Sequence, residues 1–355
     1  MNLYAVIMAG GVGSRFWPRS KKKMPKQLLN IFGDDTMIQA TVKRLTGMVE
    51  KNRIYIITNE LQSSEIKNQL PDLPKENIIE EPFGRNTAAC IGLASVIIKA
   101  KDPEAITVVL PADHIIKDVE EFKRTIENAA SFANESKGLI TIGIKPTRPE
   151  TGYGYIQIND KPVASNIFKV VTFAEKPNYA TAVRFLESGD FLWNSGMFIW
   201  RVDVILDEIK NLMPDLHEGL VDIEKSLYAN NFKEELKNIY AQLKKISIDY
   251  GIMERSSKVY LTKGSFSWSD VGSWEEVYQL SPKNENGIAS IGKVYTKMVN
   301  DSYIYSPDKM TAVIGLDNVI IINHGDTLLV CRRDKAQDVK EIVDYLKINK
   351  FDEHL

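Results

Sequence analysis

The run 3-LYAVIMA-9 leads straight into 10-GGVGSRFWPRSKKKMPKQLL-29, so an apolar segment is followed by bare backbone and then by fixed positive charge. No charge precedes the apolar run and Gly10 ends it, which reads as a buried first strand rather than a secretion signal. Gly10, Gly11 and Gly13 lack a Cβ and let backbone N–H groups approach a ligand, while Arg15 and Lys26 supply charge-assisted donors. Such a loop after a strand suits a polyphosphate. It is not a Walker loop, because no Gly-Lys-Ser/Thr occurs, and Phe16 stands where a dinucleotide fingerprint needs its third glycine. An ordinary glycine-rich turn is the alternative reading of this segment alone.

The chain has 355 residues, long enough for one large domain and a smaller one, and 44% of them are hydrophobic. Its 45 basic and 47 acidic residues leave a net charge of −2, so no global basic field points to nucleic acid and any phosphate must be held locally. No apolar run approaches the roughly 18 residues of a membrane span. Two cysteines, Cys90 and Cys331, cannot build a disulfide framework and fit a reducing cytosol. The expectation is a cytoplasmic protein without a membrane partner.

Strand-like runs, 3-LYAVIMA-9, 54-IYIIT-58, 106-ITVVL-110 and 139-LITIG-143, alternate with helical patterns at 36–49, 87–100 and 120–135. This alternation predicts an α/β fold with a mainly parallel, Rossmann-like sheet flanked by helices, and ligands outside the carboxyl ends of the strands. Beyond residue 150 the pattern is mixed, with strands near 153–158 and 167–175, a helix near 180–186 and a polar helical stretch over 215–245. From about Gly287 short strands recur at close spacing, including 311-TAVIGL-316, 318-NVIIIN-323 and 327-TLLVC-331, before a helix over 336–347. The expected division is 1–285 for the larger domain and 286–355 for a small β-rich one.

Seven segments in this order carry a resemblance: the opening loop, 80-EEPFGRNTAA-89, 111-PADH-114, 173-FAEKP-177, 193-WNSGMF-198, 247-SIDYGIMER-255 and 268-WSDVGSW-274. Together the set resembles the mannose-1-phosphate guanylyltransferases, within the sugar-nucleotide pyrophosphorylase family, from residue 1 to the C-terminal helix. Ser14, Ala174 and Ala89 depart from residues usual in that family, and none of these changes removes a charged group. The resemblance implies a nucleotide-diphospho-sugar transferase fold with a left-handed β-helix-like C-terminal domain. It also implies synthesis of GDP-mannose and pyrophosphate from GTP and α-D-mannose 1-phosphate. A homodimer is expected, with the β-rich tail as the candidate dimer surface.

Asp113 follows an apolar strand and, read alone, fits a turn or helix-capping aspartate as well as a ligand. The resemblance makes Asp113 and Asp270 the pair that holds Mg²⁺, or Mn²⁺ in its place, and makes Arg15 and Lys26 the triphosphate clamp. Lys21, Lys22 and Lys23 read as solvated. The nucleotide is expected on Ala9, Gly10, Gly11, Gly13, Ser14, Arg15, Lys26, Glu81, Pro82, Arg85, Asn86, Thr87 and Asp113. The sugar phosphate is expected on Gly154, Glu175, Lys176 and Asn194; Glu175 and Lys176 also read as an exposed pair at a strand end. Adjacent strand residues face opposite ways, so the sequence leaves open whether Glu80 or Glu81 reads the base. Asp249 and Glu254 have no assigned role. Competing readings are a pyrophosphorylase for another hexose 1-phosphate or nucleotide, and a silent sugar-nucleotide-binding regulatory subunit. The second sits poorly with Arg15, Lys26, Asp113 and Asp270 all being present. The chain ends at Leu355, without the clustered His and Glu ligands of the isomerase domain that some relatives append.

Overall fold

In the computed structural model, which describes residues 2–355, the chain forms two compact units. The larger takes residues up to Gly10, Thr41–Ala112 and Ile116–Trp268; the smaller takes Gly11–Ala40, Asp113–Ile115 and Ser269–Leu355. The glycine-rich stretch that opens the sequence thus folds with the C-terminal part of the chain.

The first ten strands are β1 (Leu3–Met8), β2 (Ile54–Asn59), β3 (Ile78–Glu81), β4 (Ile106–Pro111), the two-residue β5 (Ile115–Ile116), β6 (Leu139–Ile144), β7 (Tyr155–Ala164), β8 (Ile167–Ala174), β9 (Phe191–Arg201) and β10 (Val259–Gly264). Nine of them form one sheet in the order β3-β2-β1-β4-β9-β6-β10-β8-β7. β3, β2, β1 and β4 are parallel neighbours, and Met8 pairs with both Ile57 and Pro111, so these strands end in line. This is the Rossmann-like half, and its strands read as continuous apolar runs because both faces are covered. Helix Asn86–Lys101 is buried along most of its length, as its apolar composition all round requires.

The second half is mixed. β9 runs antiparallel to β4 and β6, and β7 pairs antiparallel with β8 and β9, while β10 pairs parallel with β6. β9 and β10 were not foreseen as strands: Asn194, Ser195 and Gly196 interrupt the apolar pattern of β9, and β10 carries few apolar residues. The polar stretch over 215–245 resolves into two helices, Pro214–Ser226 and Phe232–Gln242. Among the described residues no helix is long and apolar enough to cross a membrane.

The smaller unit follows the two-residue β11 (Trp268–Ser269) with helix Trp274–Leu280, then β12 (Ala289–Lys297), β13 (Tyr303–Ile314), β14 (Val319–His324), β15 (Thr327–Arg332) and helix Val339–Ile348. β12, β13 and β14 are successive parallel neighbours, with Ala289 opposite Tyr303 and Tyr303 opposite Ile320. An ordinary parallel crossover needs a dozen or more residues, and the links 298–302 and 315–318 are far shorter. Only a chain that winds in coils makes such pairs, which gives the β-helix-like character; β15 then returns antiparallel along β14.

One core holds this unit's three stretches together: Phe16 and Trp17 pack in a single cluster with Trp274, Tyr303, Ile320 and Val343, and the partly buried Ile115 packs against it. Trp274 is fully buried, stacks on Tyr303 with ring centroids 6.0 Å apart, and donates its indole N–H to the Trp17 carbonyl at 3.1 Å. Trp274→Ala should therefore cost about 3–5 kcal/mol of stability. Urea midpoints at constant m-value measure it, and a loss below about 1 kcal/mol would contradict this role.

Candidate functional site

In the smaller unit the glycine-rich loop closes on Lys26. Gly13 has φ +60°, and a Cβ there would lie 2.5 Å from the Lys26 Cβ, so the close approach requires glycine. The 3-10 turn Ser14–Phe16 follows, with Phe16 buried and Arg15 exposed. Gln27 donates to the Gly11 carbonyl at 2.9 Å and Ser20 to the Val12 carbonyl at 2.6 Å, tying the loop back. Lys26 is only 4% exposed. Its Nζ donates to Asp113 Oδ2 at 2.8 Å and to the backbone carbonyl of Asp270. Gly13, Ser14, Arg15, Lys26, Asp113 and Asp270 line one cavity of about 240 Å³.

Burial pushes the Asp113 carboxyl up, but the Lys26 ammonium, with His114, outweighs it and holds the group below the ordinary carboxylate value. Asp270 precedes Val271, a buried β-branched residue at φ +47°, a conformation rare for its type. Among the described residues no three His, Cys, Asp or Glu side chains gather as a metal cage. A cation here would rest on two carboxylates, water and substrate oxygens, which suits a hard ion such as Mg²⁺ and not a soft one.

In the larger unit, β3 turns its two acids apart. Glu80 accepts from Ser63 Oγ at 2.6 Å and Lys67 Nζ at 2.9 Å, and the Ser63 hydroxyl, with Lys67, draws its carboxyl down to about 2. Glu81 is 6% exposed, its Oε1 lies 3.2 Å from the Tyr240 hydroxyl, and its Oε2 lies 3.7 Å from where a Gly10 Cβ would stand. Burial pushes Glu81 up to about 7, against the Tyr240 hydrogen bond. Glu81 is thus the acid on the Gly10 side, which the sequence left open.

Past the end of β3 and Pro82, Arg85 donates from Nε and Nη2 to the carbonyls of Tyr240 and Ala241, each at 2.7 Å. Asn86 has φ +67° and accepts the Thr87 N–H at 2.8 Å; Thr87 Oγ1 accepts the Ile248 N–H at 2.8 Å. These groups hold the segment in place. Ala9 continues the ladder through its N–H to the Ile57 carbonyl at 2.8 Å.

The third cluster is also in the larger unit. A Cβ on Gly154 would fall 2.5 Å from Glu175 Oε1 and 3.3 Å from Asn194 Cβ, so glycine is what lets these two side chains pack this closely on the backbone. The Asn194 N–H bonds the Gly154 carbonyl at 2.8 Å. Lys176 has φ +51°, a largely exposed side chain, and its Nζ lies 3.3 Å from Glu175 Oε2. Asp249, in the π-helical turn Asp249–Met253, accepts from Asn194 Nδ2 at 2.9 Å. Burial and then the Glu175 charge push Asp249 up to about 6, and the same two causes raise Glu254.

Three contributors escaped sequence reasoning. Gln27 directly follows Lys26, and its position in Pro-Lys-Gln was the available signal. Tyr240 sits among the buried positions of an amphipathic helix, where nothing in the spacing separates it from core. Thr141 Oγ1 approaches Asn194 Oδ1 at 3.3 Å across neighbouring strands, one of which was not foreseen.

The family model described as Nucleotidyl transferase matches residues 4–287, and one described as MannoseP isomerase/GMP-like beta-helix domain matches 299–346. A mannose-1-phosphate guanylyltransferase of Salmonella muenchen is 39% identical over 99% of this chain and 75% of its own length. One of Escherichia coli is 39% identical over 99% of this chain and 77% of its own. A crystal structure described as mannose-1-phosphate geranyltransferase from Thermus thermophilus superposes with a TM-score of 0.87 at 31% identity, covering 98% of this chain and 100% of that one. A structure described as mannose-6-phosphate isomerase from Helicobacter pylori gives 0.63 at 27% identity, over 76% of this chain and 100% of that one. With these matches along nearly its whole length, the chain belongs to the mannose-1-phosphate guanylyltransferase family of nucleotidyl transferases.

Proposed function

We propose that this chain makes GDP-mannose and pyrophosphate from GTP and α-D-mannose 1-phosphate. The observation that carries the reading is the buried Lys26 ammonium, shared by Asp113 and the Asp270 carbonyl beside Gly13 and Arg15. An oxygen of the sugar phosphate attacks the α-phosphorus of GTP in line, the bond from that phosphorus to the bridging oxygen of the β-phosphate breaks, and pyrophosphate leaves. The second ionisation of a phosphate monoester lies near pKa ~6, so the nucleophile is charged at neutral pH and needs no general base. Catalysis is then positioning and charge stabilisation.

Backbone groups of Ala9, Gly10, Gly11, Gly13 and Ser14 approach the nucleotide, while Arg15 and Lys26 neutralise charge developing on pyrophosphate. Asp113 and Asp270 hold Mg²⁺, with Mn²⁺ as substitute. The bound ion supplies charge neutralisation at phosphate oxygens. Pro82, Arg85, Asn86 and Thr87 shape the segment that presents Glu81. Gly154, Glu175 and Asn194 take the sugar hydroxyls and Lys176 the sugar phosphate. A cytoplasmic homodimer is the assembly we favour: both cysteines are free thiols, and Ile291, Leu328 and Val330 leave apolar surface exposed on the β-rich region.

Pyrophosphate release from purified protein, with four nucleoside triphosphates crossed with several sugar 1-phosphates, tests the assignment; the GTP and mannose pair should turn over fastest. Asp113→Asn and Asp270→Asn should each abolish most turnover, since each removes a charge from the cation's ligands at constant size; Asp270→Asn should keep the parent melting temperature, while Asp113→Asn, which takes the charged partner from the buried Lys26, should lower it. Near-normal Mg²⁺-dependent rates in either would sink the metal assignment.

Lys176→Ala should raise KM for mannose 1-phosphate by about ten-fold to a hundred-fold, the equivalent of the roughly 1.5–3 kcal/mol in a charged hydrogen bond. A rise in KM for GTP alone would move Lys176 to the other substrate.

Guanine offers N1–H and its N2 amine as adjacent donors, whereas adenine has neither, so an acceptor-only carboxylate separates them. Glu81→Gln should erode the GTP over ATP ratio of kcat/KM by about ten-fold to a hundred-fold, and Glu80→Gln should leave it unchanged. Reading guanine needs the ionised carboxylate, which predominates only above about pH 7. The KM for GTP should therefore rise as pH falls below 7 in the parent protein, measured at saturating sugar phosphate, and Glu81→Gln should lack that limb. A base ratio unchanged in both variants would transfer the reading to other groups.

A further inference from the structure

Asn194 is pinned from two sides by groups of opposite hydrogen-bonding sense. Its Nδ2 donates to Asp249 Oδ1 at 2.9 Å, and its Oδ1 accepts the Gly196 N–H at 3.1 Å, with Thr141 Oγ1 3.3 Å away. A side-chain amide has two N–H donors and one acceptor oxygen. An ionised carboxylate only accepts and a backbone N–H only donates. Flipping the amide would set oxygen against carboxylate and N–H against N–H, two repulsive contacts in place of two bonds. The present orientation spends the acceptor on the protein and leaves one N–H.

We infer that Asp249 is a positioning residue that locks Asn194 with one N–H available to the sugar, so that Asn194 and Glu175 together read a single hydroxyl by opposite senses. The inference rests on the sugar-site reading above. Glu175 Oε1 and Asn194 Cβ both pack against Gly154, 2.5 and 3.3 Å from where its Cβ would stand, so the two side chains are close neighbours. A hydroxyl that reaches both accepts from Asn194 and donates to Glu175, using both of its capacities. Asp249 lies in the turn Asp249–Met253, half-buried, with its Oδ1 taken by Asn194. Placing a carboxylate out of water near Glu175 is unfavourable: burial and the Glu175 charge raise Asp249, against the Asn194 hydrogen bond and the Lys176 charge. A group kept under those conditions in direct contact with one side chain acts through that side chain.

The test is a double-mutant cycle on the full chain with kinetics for both substrates. Asn194→Ala should raise KM for mannose 1-phosphate about ten-fold or more and leave KM for GTP within about two-fold. Asp249→Ala should do the same, at an unchanged melting temperature. The double variant should be no worse than the poorer single one, because residues acting as one unit are non-additive. Asp249→Asn keeps an acceptor oxygen toward Asn194 and should recover KM to within about three-fold of the parent.

Multiplying effects in the double variant would overturn the inference, as would equal rises in both KM values with Asp249→Ala, or an Asp249→Asn variant as impaired as Asp249→Ala. If Asn194→Ala leaves the sugar-phosphate KM unchanged, the sugar-site reading itself fails and this inference fails with it. The two failures are therefore distinguishable by the Asn194 variant alone.

Discussion

The contact of Lys26 with Asp113 and the Asp270 carbonyl is the constraint on which the smaller unit depends. It joins three stretches that are remote in sequence, and it does so with an almost wholly buried ammonium. A buried lysine is tolerated only when paired and hydrogen-bonded, because its desolvation otherwise costs several kcal/mol. Each geometric demand nearby serves that pairing. Gly13 must lack a Cβ for the loop to pass Lys26, Pro25 in extended conformation begins the turn that carries it, and Val271 accepts an unusual backbone beside Asp270. The cluster of Phe16, Trp274 and Tyr303 then fixes the same stretches by apolar burial, so the charged contact is held by packing that does not itself require charge.

β3 shows how far one strand step changes a carboxyl group. Glu80, bonded by Ser63 and Lys67, is displaced down to about 2, while burial displaces its neighbour Glu81 up to about 7. The linkage signs are opposite. Glu80 contributes stability that is present above its unfolded value near 4.5 and lost as pH falls toward 2. Glu81 contributes stability that is present below 4.5 and lost as pH rises through 7. Near neutrality the first acid supports the fold and the second works against it. Natural chains concentrate such unfavourable groups at sites that use them.

The parallel half of the sheet was legible because its strands are continuous apolar runs separated by helical periodicity, and both signals are local. β9 was not, although 193-WNSGMF-198 lies within it, because the residues that make it a motif are those that break a strand pattern. The site was legible unevenly for a related reason. Gly13 and Lys26 stand out through their types beside a first strand, Asp113 and Asp270 only through the motifs that carry the family resemblance, and the structure brings the four to one cavity. The faces of Glu80 and Glu81 depended on strand register, which no local pattern supplies. Asp249 was visible as part of a segment but not in its contact with Asn194, since that pairing joins a strand to a π-helical turn far along the chain. Arg85 marks the converse case: its charge invites a phosphate role, while its guanidinium bonds two backbone carbonyls.

A chain with a net charge of −2 can hold a polyanion because its charges are sorted locally rather than summed. Arg15 and Lys26 line one cavity, where the proposed reading puts the phosphate charge to be neutralised. On the proposed reading, carboxylates gather where hydrogen-bond donors are recognised: burial raises Glu81, and burial with the Glu175 charge raises Asp249. The two chemistries would interfere if mixed: a free lysine near Glu81 would pair with the acceptor proposed to read the base, and an unpaired acid beside Arg15 would repel a triphosphate bound there. Asp113 resolves that conflict at the phosphate side by being an acid already paired with Lys26, so that it can serve as a cation ligand without presenting an uncompensated negative charge.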